Sequence, residues 1–241
     1  MYVLIFAMLF PFCYTFLYFI ALADCDPAFQ KGVFCGSKII QFSIPILWVA
    51  FVLREKWLTR RFSMRGVAEG AAFGVAVLVL MLCLYEFYLK PPGGSLAPDS
   101  AAVMEIKTKV KAFNIASPWI FLLFGSFYVV IHSGLEEYYW RWFVFGRLKK
   151  RLQRNSKITN PVLVFAIVVS STGFMLHHIL LLCKYFGYAH PFAWIGSLGV
   201  AIGGAYWAFS YSRFDSIWAA WISHAIIDAA IFIIGYLIIF G

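Results

Sequence analysis

The chain has 241 residues, of which 63% are hydrophobic, 20% aromatic and only 13% charged. Soluble domains carry about 45–50% apolar and about 25% charged residues. The composition therefore excludes a soluble globular enzyme, a disordered tail and a coiled coil, and points to a polytopic membrane protein. The net charge of +9, from 20 Lys/Arg against 11 Asp/Glu, fits cationic loops facing anionic headgroups. No zinc-ribbon, helix-turn-helix or aromatic-basic pattern supports a nucleic-acid partner.

A spanning helix needs about 20 mostly apolar residues. The sequence predicts spans over Tyr2–Ala23, Ile39–Leu53, Val67–Leu89, Pro118–Phe145, Pro161–Tyr185, Phe192–Tyr211 and Ile217–Phe240. The first lacks a basic n-region and a cleavage site, so it reads as a span and not as a removed signal peptide. The fourth is long enough to be tilted or split, which makes the count seven or eight. The expected fold is an all-α integral membrane protein, a bundle of 7–8 transmembrane helices with the active site inside it. It forms a single polytopic domain over 1–241, with no internal repeat.

The loops orient the bundle. Arg54, Lys56, Arg60, Arg61 and Arg65 follow the second span, and Arg147, Lys149, Lys150, Arg151, Arg154 and Lys157 follow the fourth. The positive-inside rule puts both segments, and the N-terminus, in the cytoplasm. Asp24, Asp26, Cys25 and Cys35 then lie outside, and so do residues 90–116. Whether Cys25 and Cys35 pair is left open. The five Cys are too few and too scattered for a disulfide scaffold. Ala101–Phe113 reads as a short helix, either amphipathic on the membrane surface or solvated.

Ionisable residues at membrane depth are functional candidates by default. Three clusters stand out. Glu136-Glu137-Tyr138-Tyr139-Trp140-Arg141 places two carboxylates in an apolar helix. Glu137 and Arg141 are spaced i,i+4 and can pair, whereas Glu136 points about 100° away and is available as a general base. The bland reading is an ion pair that joins helices. In Phe174-Met175-Leu176-His177-His178, Phe174 and His178 share a face one turn apart, and His177 looks elsewhere as a structural or lining residue. In His224-Ala225-Ile226-Ile227-Asp228 the i,i+4 spacing aims both side chains at one place, for chemistry or for a hydrogen bond that fixes packing. His132, one turn before Glu136, is a supporting candidate. Glu69 and Glu86, near the ends of the third span, read as interfacial. His190 beside Pro191 reads as an ordinary loop residue. The nine Trp and thirteen Tyr read as interface belts.

These patterns, E-E-x-x-x-R, F-x-x-x-H and H-x-x-x-D in order on separate spans, resemble the CPBP family, also called Abi or CAAX-protease-like intramembrane proteases. The resemblance covers residues 117–241, leaving 1–116 as N-terminal spans and a surface segment. It implies an endopeptidase acting on a membrane-associated or lipidated protein or peptide, with the lipid bilayer as its other partner. Glu136 would activate a water that His178 holds. His224 and Asp228 would stabilise the oxyanion or position the carbonyl, and Glu137 with Arg141 would brace the helix, Phe174 supporting. Better-known members carry Asn where this chain has Asp228, which cannot donate unless protonated; Asp228 would instead orient His224 or ligate a metal. Glu136, His178, His224 and Asp228 are also an acceptable donor set for Zn²⁺. Without H-E-x-x-H, the reading favours a metal-independent glutamate mechanism with no cofactor. The expected location is a bacterial inner (cell) membrane. Competing readings are a transporter with a Glu/His/Asp proton relay, a haem protein using His177 and His190, and a non-catalytic immunity or scaffold protein of the same fold.

Overall fold

A computed structural model describes residues 2–54, 62–153 and 160–241. Of the basic loop residues, Lys56, Arg60, Arg61, Arg154 and Lys157 lie outside the described residues. The described residues form eight helices and no strand. They are α1 (Tyr2–Ala21), α2 (Pro27–Leu53), α3 (Met64–Leu89), α4 (Ala101–Ala112), α5 (Pro118–Gln153), α6 (Asn160–Phe186), α7 (Pro191–Phe214) and α8 (Trp218–Phe240). All except α4 are long and apolar enough to cross a membrane, seven spans in all. The chain is an all-α integral membrane protein.

Two boundaries differ from the sequence reading. Helix α2 begins at Pro27, a dozen positions before Ile39. The Asp26 carboxylate accepts from the backbone N–H groups of Ala28 at 2.9 Å and Phe29 at 3.0 Å, and Pro27 takes the first helical position, where its missing N–H is harmless. Cys35 consequently lies inside α2, and both Cys25 and Cys35 are free thiols. Helix α5 is a single 36-residue run, not two spans. At about 1.5 Å per residue it is about 54 Å long, against a hydrocarbon core of about 30 Å. Its last two turns, with Arg147, Lys149, Lys150 and Arg151, are too polar for lipid. Two stretches of α5, Phe127–His132 and Tyr138–Phe145, are π-helical. The short helix expected at Ala101–Phe113 is present as α4, capped by Ser100.

The chain gathers into two compact units, Met1–Phe62 with Leu135–Ile217, and Ser63–Gly134 with Trp218–Gly241. In the first, α6 packs along α7 and α1 along α6. Pro11 lies inside α1. Its missing N–H orphans the carbonyl of Ala7, one turn earlier, and in lipid an orphan must find a donor within the protein. The Tyr139 hydroxyl of α5 donates to that carbonyl at 2.6 Å. A packing defect in α1 thereby becomes a fastening point for α5.

In the second unit α3 lies along α8. Lipid tails are as apolar as Leu, so helices associate in membranes through close packing of small residues. Gly66, Gly70 and Gly74 form such a stripe, all buried, and α8 presents Ala219, Ala220 and Ser223. A Cβ at Gly70 would run into the carbonyl oxygen of Ala219. Farther along α8, Phe232, Tyr236 and Phe240 surround Phe121 of α5, with ring centroids at 5.8, 6.3 and 5.7 Å. Gly36 of α2, by contrast, faces open space. A Gly70→Val change should therefore lower thermal stability in detergent by about 1–3 kcal/mol or more. Gly36→Ala should leave it unchanged or slightly raised. Thermal unfolding of the two variants checks both signs.

Candidate functional site

Glu136 and Glu137 occupy the single α-helical turn Ser133–Glu137, between the two π-helical stretches of α5. π-Stretches inside α-helices occur frequently at functional sites. Both side chains are buried, Glu137 completely and Glu136 to 4% exposure. Two charges cannot be left bare in such a place, and the structure supplies each with a cation.

Glu137 pairs with Arg141, as its i,i+4 spacing predicts. Arg141 Nε lies 3.0 Å from Glu137 Oε2, and neither side chain is exposed. The guanidinium is sandwiched by two rings, Phe174 of α6 at 4.8 Å and Trp207 of α7 at 5.0 Å. Arg is suited to this setting because its planar, weakly hydrated cation stacks on aromatic faces. Phe174 thus receives a physical role: it carries the cation that neutralises Glu137.

One turn beyond Phe174 stands His178, ring against ring at 4.7 Å. Its Nδ1 lies 2.9 Å from the Phe174 carbonyl oxygen. A carbonyl only accepts, so Nδ1 carries the proton and donates, which leaves Nε2 as the lone-pair nitrogen. The backbone of α6 fixes the tautomer that an acceptor of a water proton needs. His177 stacks on Trp140 at 6.0 Å with the planes 5° apart, but it does not look away as the spacing suggests: its ring lies 4.1 Å from that of His178 and meets Phe174 edge-on at 5.6 Å. His190 is not an idle loop residue: its Nδ1 accepts from the Phe192 backbone N–H at 3.1 Å and caps α7. These engagements of His177 and His190 do not resemble a haem ligand pair.

Glu136 meets a residue that the sequence reading left out. Lys38 Nζ of α2 lies 3.4 Å from Glu136 Oε1, with the lysine side chain 16% exposed. Hydropathy starts the second span at Ile39, one residue too late to include it. The available signals were the Asp26-Pro27 helix start and the stripe Phe34, Lys38, Gln41, Pro45 at helical spacing.

Within the other unit, His224 and Asp228 do share a face of α8. His224 Nε2 is 3.6 Å from Asp228 Oδ1, with side-chain exposures of 6% and 16%. That distance is an electrostatic contact and longer than a hydrogen bond. His132 stacks on Tyr128 at 4.4 Å. Nearby, the Trp221 indole N–H donates to the Val130 carbonyl at 2.9 Å, in the π-helical stretch. Glu69 and Glu86 are taken up in i,i+4 ion pairs near the ends of α3, with Arg65 at 2.9 Å and Lys90 at 2.7 Å. Within neither unit do three His, Cys, Asp or Glu side chains among the described residues gather closely enough to hold a metal.

Residues 116–230 match the family model for the type II CAAX prenyl endopeptidase Rce1-like proteins. This part of the chain is similar to the Rce1-like family. The match contains Glu136, Glu137, Arg141, Phe174, His178, His224 and Asp228, the same residues on which the CPBP resemblance was drawn. No curated protein and no solved structure matches the chain. Lys38 and the rest of α1 to α4 lie outside the Rce1-like match.

Breaking the Glu137–Arg141 pair strands a buried charge. Arg141→Met should destabilise the protein by about 3–5 kcal/mol, and the double variant Glu137→Leu/Arg141→Met should recover much of that loss. Thermal unfolding of the single and double variants tests this. A double variant no more stable than the single one removes the pair as the cause.

Proposed function

We propose that the chain is an intramembrane endopeptidase that hydrolyses a peptide bond of a membrane-associated or lipidated protein or peptide, with Glu136 as the general base. The observation that carries this is the division of labour between two adjacent buried carboxylates inside the Rce1-like segment. Glu137 is committed to Arg141 and to packing. Glu136 meets a lysine that retains contact with the outside, at a place where burying a carboxylate for packing alone has no advantage.

In the proposed reaction a water lies between Glu136 and His178. Nε2 of His178 accepts one water hydrogen and orients the molecule. Glu136 takes the other proton as the oxygen attacks the peptide carbonyl carbon. The carbonyl π electrons move to the oxygen and give a tetrahedral oxyanion. When the intermediate collapses, the C–N bond breaks and Glu136 returns its proton to the leaving amine. For His224 and Asp228 the proposal rests on the motif order: His224 donates to the oxyanion and Asp228 orients it. No Ser or Cys nucleophile and no cofactor enters this scheme. Zinc held by Glu136, His178, His224 and Asp228 is the alternative chemistry for the same residues. The asymmetry of the basic loops supports an N-terminus in the cytoplasm.

The Lys38 contact also suits a second reading, a non-hydrolytic member of the fold in which Glu136 is half of a structural ion pair. One experiment separates the two. An internally quenched farnesylated CAAX peptide is incubated with the full chain in liposomes, as wild type and as Glu136→Gln. The expected outcome is a fall in cleavage of about 100-fold or more, with an unchanged thermal unfolding profile. Cleavage at the wild-type rate by the variant removes Glu136 from the role of base.

A further inference from the structure

The N-terminal spans carry no matched motif, yet they supply the cation that touches the candidate base. We propose that Lys38 is a positioning residue for Glu136, held in an aromatic box so that its ammonium fixes and neutralises the carboxylate from a helix outside the Rce1-like segment. The inference rests on reading Glu136 as the base.

Three features of the surroundings argue that Lys38 is built for this place. First, its ammonium lies 5.4 Å from the Tyr14 ring, 5.9 Å from Phe34 and 5.5 Å from Phe42. Ring faces attract a cation at such distances, most strongly where water is excluded. Phe34, Lys38 and Phe42 follow one another at i,i+4 on α2, so the helix presents cation and rings on one stripe. Second, the box is itself anchored. The Tyr14 hydroxyl donates to Gln41 Oε1 at 3.0 Å, and Gln41 is completely buried. Phe42 meets Tyr139 edge-on at 6.4 Å, and Tyr139 is fastened to the Ala7 carbonyl. Third, the contact to Glu136 is 3.4 Å, longer than the roughly 2.7–2.9 Å of a tight charge-assisted bond. A contact of this length compensates the charge and orients the carboxylate while leaving it able to accept a proton.

A lysine long enough to solvate itself elsewhere has been routed into a cage of rings beside a carboxylate. Lysine ordinarily extends its ammonium toward water. The routing has a chemical use. A base that must accept a proton needs one orientation, and a carboxylate that is charged in the resting state and neutral in the intermediate needs a fixed neighbour to balance it at the start.

The test measures kcat and KM for the quenched farnesylated CAAX peptide with full-length wild type, Lys38→Met, Lys38→Arg and Glu136→Gln in liposomes. Lys38→Gln replaces Lys38→Met if the latter does not fold. The expected result is a kcat lowered at least tenfold in Lys38→Met with KM within twofold, and most of the loss restored in Lys38→Arg. Wild-type kcat in Lys38→Met, with Glu136→Gln inactive, overturns the inference and leaves the reading of Glu136 standing. A loss that Arg does not rescue and that falls on KM assigns Lys38 a packing role and also overturns it. Activity in Glu136→Gln overturns both the reading and the inference. A thermal-unfolding cycle over Lys38→Met, Glu136→Gln and the double variant needs no substrate: non-additive losses are expected, and additive losses overturn the contact.

Discussion

Hydrocarbon cannot solvate a carboxylate, and the surroundings of Glu136 and Glu137 follow from that constraint. Two glutamates in one buried turn require two cations, and each cation requires a support. Arg141 rests on Phe174 and Trp207, which ties the carboxylate helix to α6 and α7. Lys38 rests on Tyr14, Phe34 and Phe42, which ties it to α1 and α2. The rings are thus not an aromatic belt at the membrane surface but the bedding of two buried ion pairs.

Backbone hydrogen bonding imposes a second constraint of the same kind. Pro11 breaks the ladder of α1, and Tyr139, two residues past Glu137, repairs it. The imidazole of His178 is likewise held by a backbone carbonyl and needs no side-chain partner for its tautomer. Residues that read as apolar or merely polar in the sequence therefore set the geometry of those that read as chemical.

Much of this was legible beforehand. The seven spans, the Glu137–Arg141 pair, the facing of Phe174 with His178 and the proximity of His224 to Asp228 all follow from period 3.6 and hydropathy. These are local relations along one helix, which spacing encodes. Lys38 was missed because its importance is a relation between α2 and α5, separated by 98 positions, and because hydropathy alone started α2 too late. The cap at Asp26-Pro27 would have corrected the start. Nothing in the sequence would have paired Lys38 with Glu136 and not with Glu137. The role of His190 as a helix cap was missed because an imidazole nitrogen is an unusual acceptor there.

The two ion pairs also have an electrical consequence. Each sums to zero, so the whole of the +9 excess resides outside them. Moving one elementary charge through a membrane potential is worth about 2.3 kcal/mol per 100 mV, and a neutral pair presents the field with no net charge to pull. The buried turn of α5 thereby holds two carboxylates without adding net charge for a transmembrane potential to act on.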